Sequence, residues 1–405
     1  MVINKRVVDR LICYLVSFMI MSFYLFELKS WGRYVLIGIT LIITILYSWQ
    51  NKWHFKFKLS AFHKHIALFT IYCFISSVWA WNPSLAISKG VTILSILICF
   101  SLLYSYYERE ENVDSLLKSI MIAGYGIAMY TIFYYGFPTI IGMTIGGIRL
   151  ENDYTNVNSI GMVSALSCII QLYYVLKKKV NILIVFVLPA LLMVAASQSR
   201  KAVVMMLIGT MLLIILGATK SGILKKIGRI IAGAIIFVIM IYFLSRVEIF
   251  SGVMARFMTY YESLSGIREV NIRDIYRQIG LEQFRTTPIV GIGIGNSAEL
   301  LESVGQRRTY LHDNFVELLA CGGIVGFIIY YSIYIRLIFG LWKYRCQDFL
   351  TTNLCLIFLV LLFVMDYGMV SYFDKQQYIY FMCFFLQLDI IKKKYIRKRH
   401  EIMRR

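Results

Sequence analysis

The chain has 405 residues, of which 59% are hydrophobic, with a mean hydropathy of +0.70 and a formal net charge of +20 at pH 7. A soluble domain carries about 45–50% apolar residues, so this composition excludes a soluble globular protein and indicates a polytopic membrane protein. In a membrane protein, positive charge is first a signal of topology, and the basic balance alone does not indicate nucleic-acid binding.

Apolar runs, each close to the thickness of a bilayer core, follow one another from end to end. They predict an all-α integral membrane protein with about twelve transmembrane helices in a single domain, 1–405. The predicted spans are 11–26, 34–49, 66–81, 86–106, 116–135, 158–176, 180–196, 202–218, 229–244, 314–341, 350–371 and 376–391. The first run ends in Phe26 and Glu27 and not in small residues, which favours a retained signal anchor over a cleaved signal peptide.

Lysine and arginine predict the orientation. If the N-terminus lies inside, the inner loops hold far more basic residues than the outer ones, once the long loop 245–313 is left aside. Both termini are therefore predicted to be cytoplasmic. The basic tail KKKYIRKRHEIMRR would contact anionic lipid of the inner leaflet, and nucleic acid is not an expected partner.

Three outer loops are long or charged: 136–157, 197–201 and 245–313. Every basic residue in them except Lys201 is an arginine, and the planar guanidinium binds phosphate oxygens in a forked manner. An anionic partner is expected, and the alternative is contact with lipid headgroups together with salt bridges inside the loops. Arg200 lies in SQSRK, a tight turn between two spans, so its side chain is expected to point into the mouth of the bundle.

The segment 245–313 is too long for a simple connector, which favours a functional role. In VNIRDIYRQIGLEQF the apolar residues recur at helical spacing, which predicts an amphipathic helix on the membrane surface, with Arg273 and Arg277 on one face. The run GIGIGN at 291–296 follows no strand of a βαβ unit. Its glycines predict a tight re-entry toward the tenth span and not a nucleotide-binding loop.

His312 is the one histidine that this topology places outside. A neutral imidazole accepts a proton near pH 7, and the acids Asp313 and Glu317 are expected to raise its basicity. The alternative is a histidine that merely prefers the interface. Asp366 lies inside the eleventh span, where a charge indicates either a functional acid or a partner for an arginine.

The sequence predicts no metal site. The eight cysteines form no CxxC pair and no Cys/His cluster, and the outer loops contain no DxD pair that could hold a divalent cation. No metal or other cofactor is therefore expected. The charge on a leaving diphosphate would have to be met by arginines.

Several stretches resemble motifs of the O-antigen ligase and Wzy-type polysaccharide polymerase superfamily of bacterial envelopes. SQSRKAV is similar to the family's Ser-Arg turn between spans seven and eight, and IRDIYRQIGLEQFRTTPIVGIGIGN to its arginine-led helix followed by PxxGxGxGN. HDNFVELLACGGIVG resembles the His-Asn entry into span ten, and RLENDYTNVNSIG the stretch before span six. The chain departs from the family at Val157, Lys201 and Tyr276, where proline, glycine and tryptophan are frequent, and no proposed charge is lost.

The resemblance implies a GT-C-like fold and a glycosyltransferase of the bacterial inner membrane whose active site faces outside. Its donor would be an undecaprenyl-diphosphate-linked oligosaccharide, and the glycan would be transferred without a metal and with inversion at the anomeric carbon. Arg200 and Arg273 would hold the diphosphate, and His312 would assist the acceptor hydroxyl. The substrate-binding residues would be Arg149, Lys201, Arg277, Asn314 and Asp366. Membrane lipid and a chain-length regulator are the further candidate partners.

Three functions remain possible from the sequence. A polymerase joins the glycan to a lipid-linked repeat unit of O-antigen, capsule or exopolysaccharide, and a ligase joins it to lipid A core or to protein. A flippase or transporter would move the lipid-linked glycan unchanged, and it should show paired half-repeats with charges near the bilayer midplane. The charges gather at the outer mouth instead, and polymerases are numerous and diverse, so a polymerase is the preferred prediction.

Overall fold

The computed structural model describes residues 5–26, 31–50, 57, 59–151, 155–216, 223–265 and 271–403. This part of the chain is all-helical and contains no β-strand. The helices are α1 (Lys5–Leu25), α2 (Trp31–Gln50), α3 (Ala61–Ser76), α4 (Pro83–Glu110), α5 (Val113–Tyr135), α6 (Phe137–Ile145), α7 (Val157–Leu176), α8 (Val187–Ala196), α9 (Arg200–Leu216), α10 (Ile223–Arg246), α11 (Ser251–Leu264), α12 (Ile272–Thr286), α13 (Ser297–Ser303), α14 (Asn314–Tyr344), α15 (Phe349–Met365) and α16 (Lys375–Met403).

Within the described residues, seven helical stretches are long and apolar enough to cross a membrane. They contain α1, α2, α4, α5, α7, α14 and α15, and they support an all-α membrane protein. Other predicted spans fall on shorter helices, since α3, α8 and α9 have 16, 10 and 17 residues, and a span needs about 20. The count of twelve spans stays a prediction.

Helix α16 runs through the middle of the bundle. Its residues from Gln377 to Leu388 are all buried, and it contacts α1, α3, α4, α5, α14 and α15. A helix that is buried on every side must satisfy its polar side chains internally. Gln377 accordingly donates to the hydroxyl of Tyr334 at 2.6 Å, and Gln387 donates to that of Thr352 at 3.0 Å.

Helix α14 is broken at Gly323, where φ is +59°. A Cβ at this position would lie 2.3 Å from the carbonyl oxygen of Ile289, so the close approach requires glycine. Beyond the break, the amide of Ile324 donates to the carbonyl of Pro288 at 2.8 Å. The chain before α13 therefore re-enters against α14 as predicted, and Gly291, with φ of +65°, packs directly on its backbone.

The bundle has two different ends. At one of them, which we call the paired end, ion pairs join the start of α1 to the end of α4, the start of α5 to the end of α7, and the last turn of α4 to the C-terminal half of α16. These pairs are Lys5–Glu110 at 2.6 Å, Lys177–Asp114 at 2.7 Å and Lys393–Glu108 at 2.6 Å. The other end, which we call the loop end, holds the turn between α8 and α9, the starts of α7 and α14, and the helices α11, α12 and α13.

Helix α12 confirms the helix predicted from VNIRDIYRQIGLEQF, but only part of its apolar face is free to meet a membrane. Tyr276 is buried, and Ile279 packs beside it against the start of α14 and the chain around α13. Ile272 and Ile275 remain exposed. The helix is therefore held against the bundle through one half of the apolar face.

Candidate active site

The turn between α8 and α9 places Arg200 at the loop end. Residues 197–199 are buried, Gln198 has a left-handed φ of +48°, and the Ser197 hydroxyl accepts a hydrogen bond from the amide two residues later at 3.2 Å. Gly161 of α7 allows this close packing, because a Cβ there would lie 2.3 Å from Ser197 Oγ. The chain thus reverses within three residues, and Arg200 becomes the first residue of α9.

Two further arginines bond to the backbone of this turn. Arg149 Nε donates to the carbonyl of Ser197 at 3.0 Å. Arg256 of α11 donates through Nη1 to the carbonyl of Gln198 at 3.3 Å, and its own carbonyl accepts from Arg200 Nη1 at 3.3 Å. Three separate parts of the chain therefore bring an arginine to one place.

Arg273 lies in the first turn of α12, a helix capped by the side chain of Asn271, which accepts from the Arg273 amide at 3.1 Å. Burial lowers the pKa of each of four neighbouring cations, and the charge of Arg273 lowers it further in every case. These neighbours are Arg149, Arg200, Lys201 and Arg256. The pKa reaches about 10 for Arg149 and about 7 for Lys201. We call these five residues the cation cluster.

No member of the cation cluster forms an ion pair with a carboxylate in the part of the chain that the structure describes. The guanidinium of Arg273 and the ammonium of Lys201 also lack a hydrogen-bond partner among those residues. Like charges held this close disfavour one another, and an anion placed between them removes that cost. The arrangement therefore suits an anion that carries several charges.

His312 lies beside the cation cluster. Its backbone φ is +59°, a value that residues other than glycine rarely adopt. Its ring stacks on Tyr276 with centroids 6.2 Å apart and lies 4.2 Å from the ring of Tyr310. Burial lowers the pKa of His312 to about 4, and the charges of Arg273 and Lys201 act in the same direction. The imidazole is therefore neutral at pH 7 and has the form that accepts a proton.

The expectation that neighbouring acids raise the basicity of His312 is wrong. Asp313 caps α14 by accepting from two amides of its first turn, and its other oxygen lies 3.0 Å from Arg277 Nε. Glu317 accepts from the Ser297 hydroxyl at 2.6 Å and from a backbone amide at 2.9 Å. Both carboxylates are committed to holding the loop and the helix start, so burial and the nearby cations decide the pKa of the histidine.

Arg277 connects α12 to the start of α14. Besides the contact with Asp313, its Nη1 lies 2.7 Å from Asp274, and its guanidinium lies 4.4 Å from the ring of Tyr367. These contacts use the side chain inside the protein. They favour a positioning role for Arg277, because it orients the helix that carries Arg273 one turn earlier, over the direct substrate contact that was predicted.

Asp366 and Asn314 form a buried hydrogen-bond network next to the cation cluster. Asp366 accepts from the hydroxyls of Tyr331 at 3.1 Å and Ser371 at 2.6 Å, and no arginine pairs with it among the described residues. Asn314 donates to Tyr331 at 2.9 Å and accepts from the amide of Ser371 at 2.9 Å. The network fixes the start of α14 against the end of α15, and Lys201 interacts with Asp366 electrostatically.

Sequence reasoning did not single out Arg256. This residue lies in α11 one turn before Tyr260, whose ring is 4.5 Å from the guanidinium of Arg200. An arginine and a tyrosine four residues apart are a common pattern on helices. The pattern becomes informative only once α11 is known to pack beside the turn between α8 and α9.

An apolar groove of about 660 Å³ opens between α5, α6, α8, α9 and the chain that enters α11. It begins close to the cation cluster, because its lining includes Leu192 of α8 and Met206 of α9. Leu192 lies five residues before Ser197 and Met206 six residues after Arg200, which is roughly 8–9 Å along each helix. A charged site and a long apolar groove therefore share the same helices.

Fold and site together define a class: an all-helical membrane protein with a cluster of cations and a neutral histidine at one end of its bundle. The family model described as O-antigen ligase matches residues 184–331. This part of the chain is therefore similar to that family, which supports the superfamily predicted from the motifs. The family indicates an enzyme of glycosyltransferase type. A comparison with curated proteins gave no match.

Proposed function

We propose that the chain is a polysaccharide polymerase that moves glycan from an undecaprenyl-diphosphate-linked donor to a lipid-linked repeat unit. The observation that carries this proposal is the cation cluster, in which five positive side chains meet without a carboxylate partner among the described residues. A diphosphate is the anion that fits best, since its charge is spread over several oxygens that guanidinium groups bind in a forked manner. Metal-independent transfer then depends on these cations.

The apolar groove supports a donor that carries a lipid. Part of its lining belongs to α8 and α9, whose ends form the turn at Arg200, and Phe250 at its edge immediately precedes α11 with Arg256. A diphosphate bound at the cluster would therefore leave its polyprenyl chain at the mouth of the groove. The positive-inside pattern of the sequence supports an outward-facing site, in a single membrane domain to which the loop 245–313 contributes.

In the proposed reaction, an acceptor hydroxyl attacks the anomeric carbon of the donor on the side opposite the diphosphate, which inverts that carbon. A new C–O bond forms while the bond from the anomeric carbon to the diphosphate oxygen breaks. The hydroxyl proton passes to the neutral imidazole of His312. The electron pair leaves with the lipid diphosphate, whose added negative charge is stabilised by Arg200 and Arg273, with Arg149, Lys201 and Arg256 beside them.

Three of the predicted substrate-binding residues receive supporting roles in this scheme. Arg277 holds α12 so that Arg273 faces the turn at Arg200, and Asn314 and Asp366 hold the start of α14 so that His312 is presented beside the cluster. A chain-length regulator is the proposed protein partner.

Reconstitution with one purified lipid-linked repeat unit tests the acceptor. The protein in liposomes should convert the repeat unit into a ladder of longer lipid-linked glycans without any lipid A core or acceptor protein. Growth that requires lipid A core would identify a ligase instead. Movement of the repeat unit across the bilayer without elongation would identify a flippase and would remove the proposed chemistry.

A further inference from the structure

Lys201 occupies a special position in the cation cluster. It follows Arg200 in α9 and precedes the predicted span 202–218, and its ammonium reaches Gly368, where an added Cβ would lie 2.8 Å from Nζ. Gly368 ends the short 3-10 turn Asp366–Gly368 that follows α15. The ammonium thus lies where the cation cluster meets the network of Asp366, and it has neither a hydrogen bond nor an ion pair among the described residues.

Charged and titratable groups face Lys201 from several elements. Arg200 precedes it on α9, Arg273 faces it from α12, His312 and Asp313 from the start of α14, and Asp366 from the end of α15. Burial and the two arginines disfavour its charged form, and the two carboxylates favour that form. The balance leaves the pKa of Lys201 at about 7, well below the ordinary value of a lysine.

We propose that Lys201 takes up a proton when the donor diphosphate binds and thereby becomes an additional cation on the leaving group. This inference rests on the proposed function and adds a regulated charge to it. Arginine keeps its charge in any protein environment, whereas a buried lysine changes its charge readily. The two negative charges of a bound diphosphate diester offset the repulsion from Arg200 and Arg273, so the ammonium form becomes favourable.

The consequence is a site whose positive charge is completed only when the donor is present. Before the donor binds, a neutral Lys201 reduces the repulsion within the cation cluster, and the full charge forms around the diphosphate from which the glycan departs. The incoming proton comes from solvent, and no covalent bond to carbon is made or broken in this step.

Calorimetry can measure the proton directly. The probe is the symmetric dimethyl diester of pyrophosphate, which carries two negative charges and has no group that titrates between about pH 5 and 9. Binding to the full-length protein in lipid nanodiscs is measured at pH 8.5 in two buffers of different ionisation enthalpy. Lys201 is mostly neutral there when the site is empty, so about one proton should be taken up per diester bound. His312 stays neutral at this pH in both states and does not contribute.

Three variants assign the proton. Lys201→Arg should bind the diester with no proton uptake at pH 8.5, because a guanidinium is already charged. Lys201→Gln should show no uptake and an affinity about tenfold weaker, in keeping with the loss of one charge from the site. Lys64→Gln removes an exposed lysine in the first turn of α3 and should behave as the wild type does.

Each outcome decides between the two proposals. Diester binding without proton uptake in the wild type, or uptake that persists in Lys201→Arg, overturns the role of Lys201 and leaves the diphosphate site intact. Binding that is absent, or that is unchanged by both Arg200→Ala and Arg273→Ala, overturns the proposed function itself. Uptake in the wild type at pH 8.5 that disappears in Lys201→Arg supports both.

Discussion

The basic side chains at the two ends of the bundle have different partners. At the paired end, basic side chains lie against carboxylates from neighbouring helices, as in Lys177 with Asp114 at 2.7 Å and Arg397 with Glu111 at 2.8 Å. At the loop end, the five residues of the cation cluster lie near each other instead, and burial together with the neighbouring positive charges lowers the pKa of four of them, Arg149, Arg200, Lys201 and Arg256. A basic side chain that is paired with a carboxylate stabilises the fold, whereas one without a carboxylate partner can bind an anionic ligand.

The contrast does not come from a shortage of acids in the loop. Arg308, in the same segment 245–313, pairs with Glu299 at 2.7 Å and also contacts Glu302. Arg277 has two carboxylate partners. Asp274, Glu299 and Glu302 thus pair with arginines that hold the loop together, and none of the described carboxylates pairs with the cation cluster.

The largest effect is expected from removing the unpaired charge at the centre of the cluster. Arg273→Ala should lower glycan polymerisation by about 100-fold or more, the usual order for deleting a group that stabilises charge on a leaving group. Ladder length in cells that lack the native gene measures it, with membrane insertion checked on a tagged protein. Arg308→Ala is the matched control and should change activity less than about twofold, because exposed ion pairs contribute little. Equal losses in the two variants would abolish the distinction between paired and unpaired arginines.

A smaller effect is expected if the loop end is made to resemble the paired end. Asn158 accepts from Arg149 Nη2 at 2.8 Å, so Asn158→Asp would place a carboxylate of nearly the same shape beside one cluster arginine. The KM for the donor should rise about tenfold while the melting temperature holds or increases, because the new pair neutralises a charge that the ligand would use. Asn158→Ala, which removes only the hydrogen bond, should raise the KM less than Asn158→Asp does. An unchanged KM in Asn158→Asp would show that Arg149 lies outside the anion site.

The opposite change at the paired end should affect stability and not chemistry. Asp114 accepts from Lys177 Nζ and from the Tyr173 hydroxyl at 2.7 Å, so Asp114→Asn leaves a partly buried ammonium without its counter-charge. The free energy of unfolding should fall by about 1–3 kcal/mol, with activity per folded molecule unchanged. Unfolding in bicelles measures the loss, and Lys179→Gln, an exposed neighbour 3.7 Å from Asp114, is the mild control. Loss of activity at full stability would contradict the division between the two ends.

The helices could be predicted from the sequence because each apolar run has a local period and a length that a helix satisfies by itself. The break in α14 could not be predicted from the sequence. The run LLACGGIVGFIIYY reads as one continuous helix, and its interruption at Gly323 is stabilised by carbonyls of Pro288 and Ile289, far earlier in the chain. A contact between distant segments leaves no periodic signal, so only the glycine pair hinted at it.

The candidate site shows the same limit. Residue type and loop position pointed to Arg200, Arg273 and His312, and the structure brings all three together, although their roles remain predictions. Sequence neighbours were a poor guide to charge pairing: Asp313 adjoins His312 in the chain but bonds to Arg277. Arg256 was not singled out because the groups it contacts, the carbonyl of Gln198 and the guanidinium of Arg200, are more than 50 residues away in the sequence.

The smallest expected effect is a shift in the titration of His312, and it tests whether the histidine belongs to the cation cluster. In the wild type its pKa should be about 4, because burial and the charges of Arg273 and Lys201 all disfavour the imidazolium. Arg273→Gln removes one of those charges and should raise the pKa toward the ordinary 6.5, while Arg308→Gln leaves it unchanged. NMR of labelled histidine follows the change, with the resonance assigned by its loss in His312→Gln.

This shift also fixes the sign of the pH dependence. A general base acts in its neutral form, so below the pKa of Lys201 the kcat/KM of the wild type should stay level down to about pH 5 and fall as the pH approaches the pKa of His312. Binding of the diphosphate diester should raise that pKa by offsetting the charges of Arg273 and Lys201. If the pKa of His312 is near 6.5 in the wild type and does not change in Arg273→Gln, the charges of the cation cluster do not act on this histidine. The cluster would then bind an anion, and His312 would not be the general base beside it.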